Sequence, residues 1–184
     1  NFCLFALWVA LPYCLFANWV WGGGWLAQAG TNWGLGHGSV DFAGSSVVHA
    51  MGGIIGLAGA IVIGPRLGKF AKNGTPLPLP GHHVPMVIAG TFILAFGWFG
   101  FNPGSTLAGT DLRISVVVVN TMLAGITGAA ASMLALYAKG MKPDPTMMCN
   151  GMLAGLVAIT APCAFVDSWA AVLIGGIAGV MVVF

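Results

Sequence analysis

The sequence predicts an all-α integral membrane protein, a polytopic helical bundle. Three observations carry this. Of its residues, 58% are hydrophobic and only 5% are charged, where a soluble domain carries about 25% charge. The mean hydropathy is +0.95. Six apolar runs, at 1–21, 43–63, 84–102, 114–138, 146–163 and 168–184, alternate with loops that hold nearly all the charges. The 29 glycines suit helices that pack closely in a membrane. A net charge of +2 is too small to argue for a nucleic-acid partner.

The first run starts at Asn1 and has no charge through Trp21. The last ends at Phe184 in mid-hydrophobic run. Residues 1–184 therefore read as one membrane domain, an internal part of a longer one, cut within a span at each end. A span needs roughly 20 apolar residues, so the fifth and sixth runs are short. Five of the six basic residues, Arg66, Lys69, Lys72, Lys139 and Lys142, fall in the second and fourth loops. An excess of Lys and Arg marks the cytoplasmic side, so the first span runs outward and the others alternate from there.

The outer loop after the first span is rich in Gly and Trp. Trp25 and Trp33 read as headgroup anchors and His37 as a surface residue. The second loop carries Pro76, Pro78, Pro80 and Pro85, which forbid a continuous helix and predict an extended connection. His82 and His83 read as solvated loop residues. Cys3, Cys14, Cys149 and Cys163 lie in or beside apolar runs, with no CxxC and no His at metal spacing, and read as small hydrophobes. No metal site is expected.

The second span raises the sharpest question. Asp41 is placed to cap its helix by accepting from the N–H groups at 43 and 44. Eight residues on comes His49, about 12 Å deeper along a helix. An ionisable group at that depth is a functional candidate. A structural reading stands beside it, in which a neutral His49 holds a neighbouring helix. Gly52, Gly56, Ala60 and Gly64 recur every four residues and form a strip for close helix approach or a narrow path. A neutral imidazole offers one donor and one acceptor, which suits a small hydrogen-bonding molecule better than a bare alkali ion. Ser45 and Ser46 do not form a hydrolase site. A serine there hydrogen-bonds a backbone carbonyl.

The third span ends in Trp98, Phe99 and Phe101 before a break at Asn102-Pro103-Gly104. With Trp21 and Asp41, these aromatics form an expected outer vestibule. An aromatic face attracts a small cation by roughly 0.5–2 kcal/mol.

Three stretches, DFAGSSVVHAMGGIIGLAGAIVIGPR (41–66), GWFGFNPGS (97–105) and KPDPTMMCNGMLAGLVAITAPC (142–163), resemble segments of the Amt/Mep/Rh ammonium transporters. The resemblance covers the whole chain. It implies a fold of eleven membrane helices in inverted repeats, of which this chain resembles helices four to nine, and a homotrimer in the cell membrane. It implies transport of ammonium or ammonia and not an enzyme or a cofactor. By resemblance, Trp21, Ser105 and Phe101 bind ammonium at the outer mouth, Asp41 supports that site, and His49 and Trp98 line the pore. Ammonium would be deprotonated there and pass the histidines as ammonia. A second pore histidine and a second gate phenylalanine belong to helices outside this stretch, so the chain alone is not expected to conduct. Pro103 stands where many members have a smaller residue. A PII-type cytoplasmic regulator is a candidate partner. The alternatives are an ammonium sensor, an Rh-like ammonia or carbon dioxide channel, and a membrane redox subunit with His49 as haem ligand. The last needs a second ligand at membrane depth, which His37, His82 and His83 do not supply.

Overall fold

The computed structural model describes residues 2–184, with side chains from Leu4 onward. Asn1 and the Cys3 side chain lie outside the described residues. The fold is all-helical. Helix α1 spans Phe2–Val20, α2 Ala29–Trp33, α3 Met51–Ile63, α4 Val84–Gly104, α5 Arg113–Ala138, α6 Pro145–Ile159 and α7 Ser168–Met181. A π-helical turn, Ser45–Ala50, runs directly into α3. Ser45–Ile63, α4 and α5 are long and apolar enough to cross a membrane, while Leu4–Val20, α6 and α7 are shorter apolar helices. The six expected spans are thus all helical. The fifth stops at Ile159, short of its expected end, and the short α2 was not expected.

Local chemistry sets the ends. Asp144 caps α6, its Oδ1 accepting from the Thr146 N–H at 2.8 Å and the Thr146 hydroxyl at 2.7 Å, with Pro145 at the first helical position. His83 caps α4 by accepting the Met86 N–H at Nδ1, 3.0 Å away, which adds a role to its exposed loop position. Pro85 sits inside the first turn of α4 and not in the loop, because N–H groups there need no intrahelical acceptor. The expected break at Asn102 also moves. Helix α4 continues through Pro103 to Gly104, and Asn102 is buried with its amide donating to the Thr121 hydroxyl of α5 at 3.1 Å. Between α3 and α4 the chain is extended apart from a small turn closed by Leu77 N–H to Lys69 O and an isolated bridge of Phe70 with Pro76.

The core lies where α5, α6 and α7 pack together. Val117, Ala124, Ile159, Cys163 and Ala171 form one buried cluster, and Ala95, Trp98 and Leu156 form a second against α4. The close approach depends on glycine. A Cβ on Gly155 would collide with the Ala124 carbonyl, and one on Gly179 with the Gly128 carbonyl. Small residues in a membrane let backbones meet directly. The glycine strip on α3 behaves differently from the expectation. A Cβ on Gly52 or Gly56 would meet nothing within 4 Å, and α3 has no buried residue among those described. Its bare face is therefore not a helix contact within this chain. The contact glycines lie instead on α5, α6 and α7, with the same four-residue spacing in the pairs Gly151/Gly155 and Gly175/Gly179.

Candidate functional site

Gly44 has φ 112°, a left-handed conformation that favours glycine. It bends the backbone so that four successive N–H groups converge on one carboxylate. Asp41 Oδ1 accepts from Gly44 and Ser45 N–H, both at 2.8 Å, and Oδ2 accepts from Ser46 N–H at 2.9 Å and Val47 N–H at 3.0 Å. The Ser46 hydroxyl adds a bond at 2.6 Å. The expected cap on residues 43 and 44 is thus corrected. Ala43 N–H goes to the Thr160 carbonyl at 3.1 Å, and the carboxylate serves residues 44–47. Burial alone would raise the Asp41 pKa, but the Ser46 hydroxyl and the backbone N–H groups outweigh it and hold the group below its ordinary value.

The Asp41 main chain holds Trp21. The indole Nε1–H donates to the Asp41 carbonyl at 2.6 Å, and the ring edge lies over Gly44. Trp21 remains 46% exposed, so its ring is open to a visitor. Around α2, Trp25 lies 5.7 Å from both Trp19 and Trp33. Trp25 and Trp33, read as headgroup anchors, thus contact one another, and Trp25 also meets Trp19 of α1.

Val48 and His49 both donate their N–H to the Gly44 carbonyl, at 2.9 and 3.1 Å. The wider π turn is the local cause of where His49 faces. Its imidazole stacks on Trp98, with centroids 5.0 Å apart and planes 10° from parallel. Phe101 completes a triangle, 5.7 Å from His49 and 6.1 Å from Trp98. His49, Leu94, Gly97, Trp98 and Phe101 line a cavity of about 320 Å³. Among the described residues, His49 Nδ1 is buried without a hydrogen-bond partner. Phe99 does not join the cluster. It lines a separate cavity with Thr106 and Ile114, because it faces another side of α4. Ser105 ends α4 and donates its hydroxyl to the Phe101 carbonyl at 2.8 Å, which leaves the oxygen free to accept. No hydrogen bond or ring contact joins Trp21 to Phe101 or Ser105 among the described residues. Trp21 and the His49–Trp98–Phe101 group are connected through Asp41 and the π turn.

Thr160 was not singled out from the sequence. It is fully buried, accepts the Trp98 Nε1–H at 3.0 Å and donates to the Leu156 carbonyl at 2.6 Å. A lone threonine in the apolar run LVAIT was the available signal. Among the described residues no three metal-binding side chains cluster.

A family model described as "Ammonium Transporter Family" matches residues 1–184, the full chain. The chain belongs to this family. Ammonium transporter Amt2 of Archaeoglobus fulgidus is 52% identical over 172 residues, covering 92% of this chain and 37% of the relative. Ammonium transporter 1 member 3 of Solanum lycopersicum is 41% identical, covering 89% of this chain and 38% of the relative. The chain thus spans under two-fifths of the length of these relatives. Among solved structures, one described as "Sensor Amt Protein" superposes with a TM-score of 0.84 at 38% identity, covering 92% of this chain and 41% of that one. Mep2 of Candida albicans superposes with a TM-score of 0.76 at 34% identity, covering 95% of this chain and 36% of that one. The fold is therefore part of the helical membrane fold of Amt and Mep proteins, and the chain is a membrane protein.

Proposed function

We propose that the protein containing this chain carries ammonium or ammonia across the membrane. The observation behind this is the cavity under the stacked His49 and Trp98, with Phe101 at its edge and an imidazole nitrogen left unpaired. Ammonium meets the Trp21 ring and the free lone pairs of Ser105 at the outer mouth, with Phe101 beside it. Asp41 stays charged and fixed by its own backbone. Moving ammonium into an apolar passage disfavours its charged form and lowers its pKa. It gives up a proton to water at the outer mouth, and the remaining ammonia passes, hydrogen-bonded by His49 without a net charge. Potassium has nearly the same size but no proton to lose, so it is excluded by chemistry rather than by width alone.

A sensor that binds ammonium without carrying it is the second reading, favoured by the likeness to the structure described as a sensor. A haem-binding role has no second histidine at membrane depth to build on. Assembly as a homotrimer and docking of a PII-type regulator at the loop around Arg66, Lys69 and Lys72 belong to the same proposal.

The test is uptake of methylammonium by the full-length protein in cells that lack ammonium uptake. Uptake that falls by at least about tenfold in both His49→Ala and Trp21→Ala supports transport through this site. Absence of uptake by a membrane-inserted wild type overturns it and favours the sensor.

A further inference from the structure

Helix α6 ends in an interrupted ladder. In a continuing helix the Ala161 N–H would donate to the Val157 carbonyl. Here the Ser45 hydroxyl stands between them. It donates to Val157 O at 2.6 Å and accepts from Ala161 N–H at 2.7 Å. Two backbone bonds flank the insertion, Phe42 N–H to Ala161 O at 3.0 Å and Ala43 N–H to Thr160 O at 3.1 Å. The segment that begins the π turn is thereby sewn to the end of α6.

Both rings of the His49–Trp98 stack hang from this junction. Trp98 is held by the Thr160 hydroxyl. His49 is carried on the turn that Ser45 begins. The end of α6 thus touches the supports of both rings, Trp98 through Thr160 and the turn of His49 through Ser45. A hydroxyl is needed because a single oxygen must donate and accept at once. Without it, Ala161 N–H and Val157 O can bond each other directly. That would leave no buried group unpaired, yet the turn itself would lose its own bond to α6, with only the backbone bonds of Phe42 and Ala43 before it remaining.

We propose that Ser45 is a positioning residue for the His49–Trp98 stack, acting through the hydroxyl inserted into the end of α6. This rests on the transport reading above. The experiment uses the full-length protein and methylammonium uptake at equal membrane abundance. Ser45→Ala should cut the maximal rate by about fivefold or more, with half-saturation within about twofold of wild type and little change in melting temperature. Ser45→Thr, which keeps the hydroxyl, should restore most of the rate. A wild-type rate in Ser45→Ala overturns the proposal. So does a loss that Ser45→Thr leaves unrepaired, or a rise in half-saturation that matches the fall in rate. Should Ser45→Ala fail to reach the membrane, Ser45→Cys keeps the volume with a weak donor, and the same rate loss is expected. Failure of Ser45→Cys to assemble would mark a purely structural role and overturn the proposal. If wild type itself shows no uptake, the transport reading fails and this one with it. A wild-type rate in the variants removes this proposal alone.

Discussion

At the scale of a residue, Asp41 shows how one side chain can fix both a turn and a neighbouring ring. Its carboxylate is saturated by its own chain, and its carbonyl holds the indole of Trp21. Asp41→Asn would turn an amide donor toward those N–H groups. The expected cost is ~2–3 kcal/mol, read as a lower melting temperature at neutral pH. The sign with pH follows from the lowered pKa. The stabilisation is fully present above the ordinary carboxylate value and is lost as pH falls through the lower folded value. Wild type and Asp41→Asn should therefore converge in acid. A gap that persists there would show that the cap is not electrostatic. Sequence reading found Asp41, His49, Trp98 and Phe101, since charge or aromatic character stands out in an apolar run. It did not find Thr160, because a hydroxyl in a membrane helix ordinarily satisfies a carbonyl of its own turn. Thr160 does that too, and its second bond comes from 62 residues away.

At the scale of an element, the six runs were legible because the membrane requires long apolar helices. The π turn at Ser45–Ala50 was not legible. It changes one hydrogen-bond step and leaves no mark on hydrophobic periodicity. The glycine spacing was legible, but its partner was not. Gly52 and Gly56 on α3 have the same four-residue step as Gly151 and Gly155 on α6, and only the latter meet another backbone in this chain. Spacing gives a face, and tertiary packing decides what covers it. Gly155→Val is predicted to push α6 from α5 at a cost of about 3 kcal/mol or more. The readout is the melting temperature in detergent. Gly56→Val should be neutral in the isolated chain or stabilise it by a few tenths of a kcal/mol, because valine has the better helix propensity and its Cβ meets nothing there. Equal losses would mean that the packing contrast is wrong.

At the scale of the whole molecule, α5, α6 and α7 form the dense part, and α4 leans on it through Trp98 and Asn102. Helices α1 and α3 present most of their apolar side chains outward, among them Leu4, Leu7, Trp8, Ile61 and Val62. Hydrogen exchange on the isolated chain in detergent should therefore be slowest along α5–α7 and fastest in α1 and α3. Uniform protection across all helices would contradict this. The ends of α5 and α7 also lie side by side, with the Lys139 ammonium 4.0 Å from the Phe184 ring. Backbone touching backbone at Gly128, Gly155 and Gly179 has a mechanical result. Side chains can roll past one another, but a carbonyl seated on a Cα has no rotamer to change. The three helices thus behave as a strut that neither slides nor twists. Freedom to shift is left to what is bolted onto that strut: the turn bearing His49, the indole of Trp98 and the free edge of Phe101.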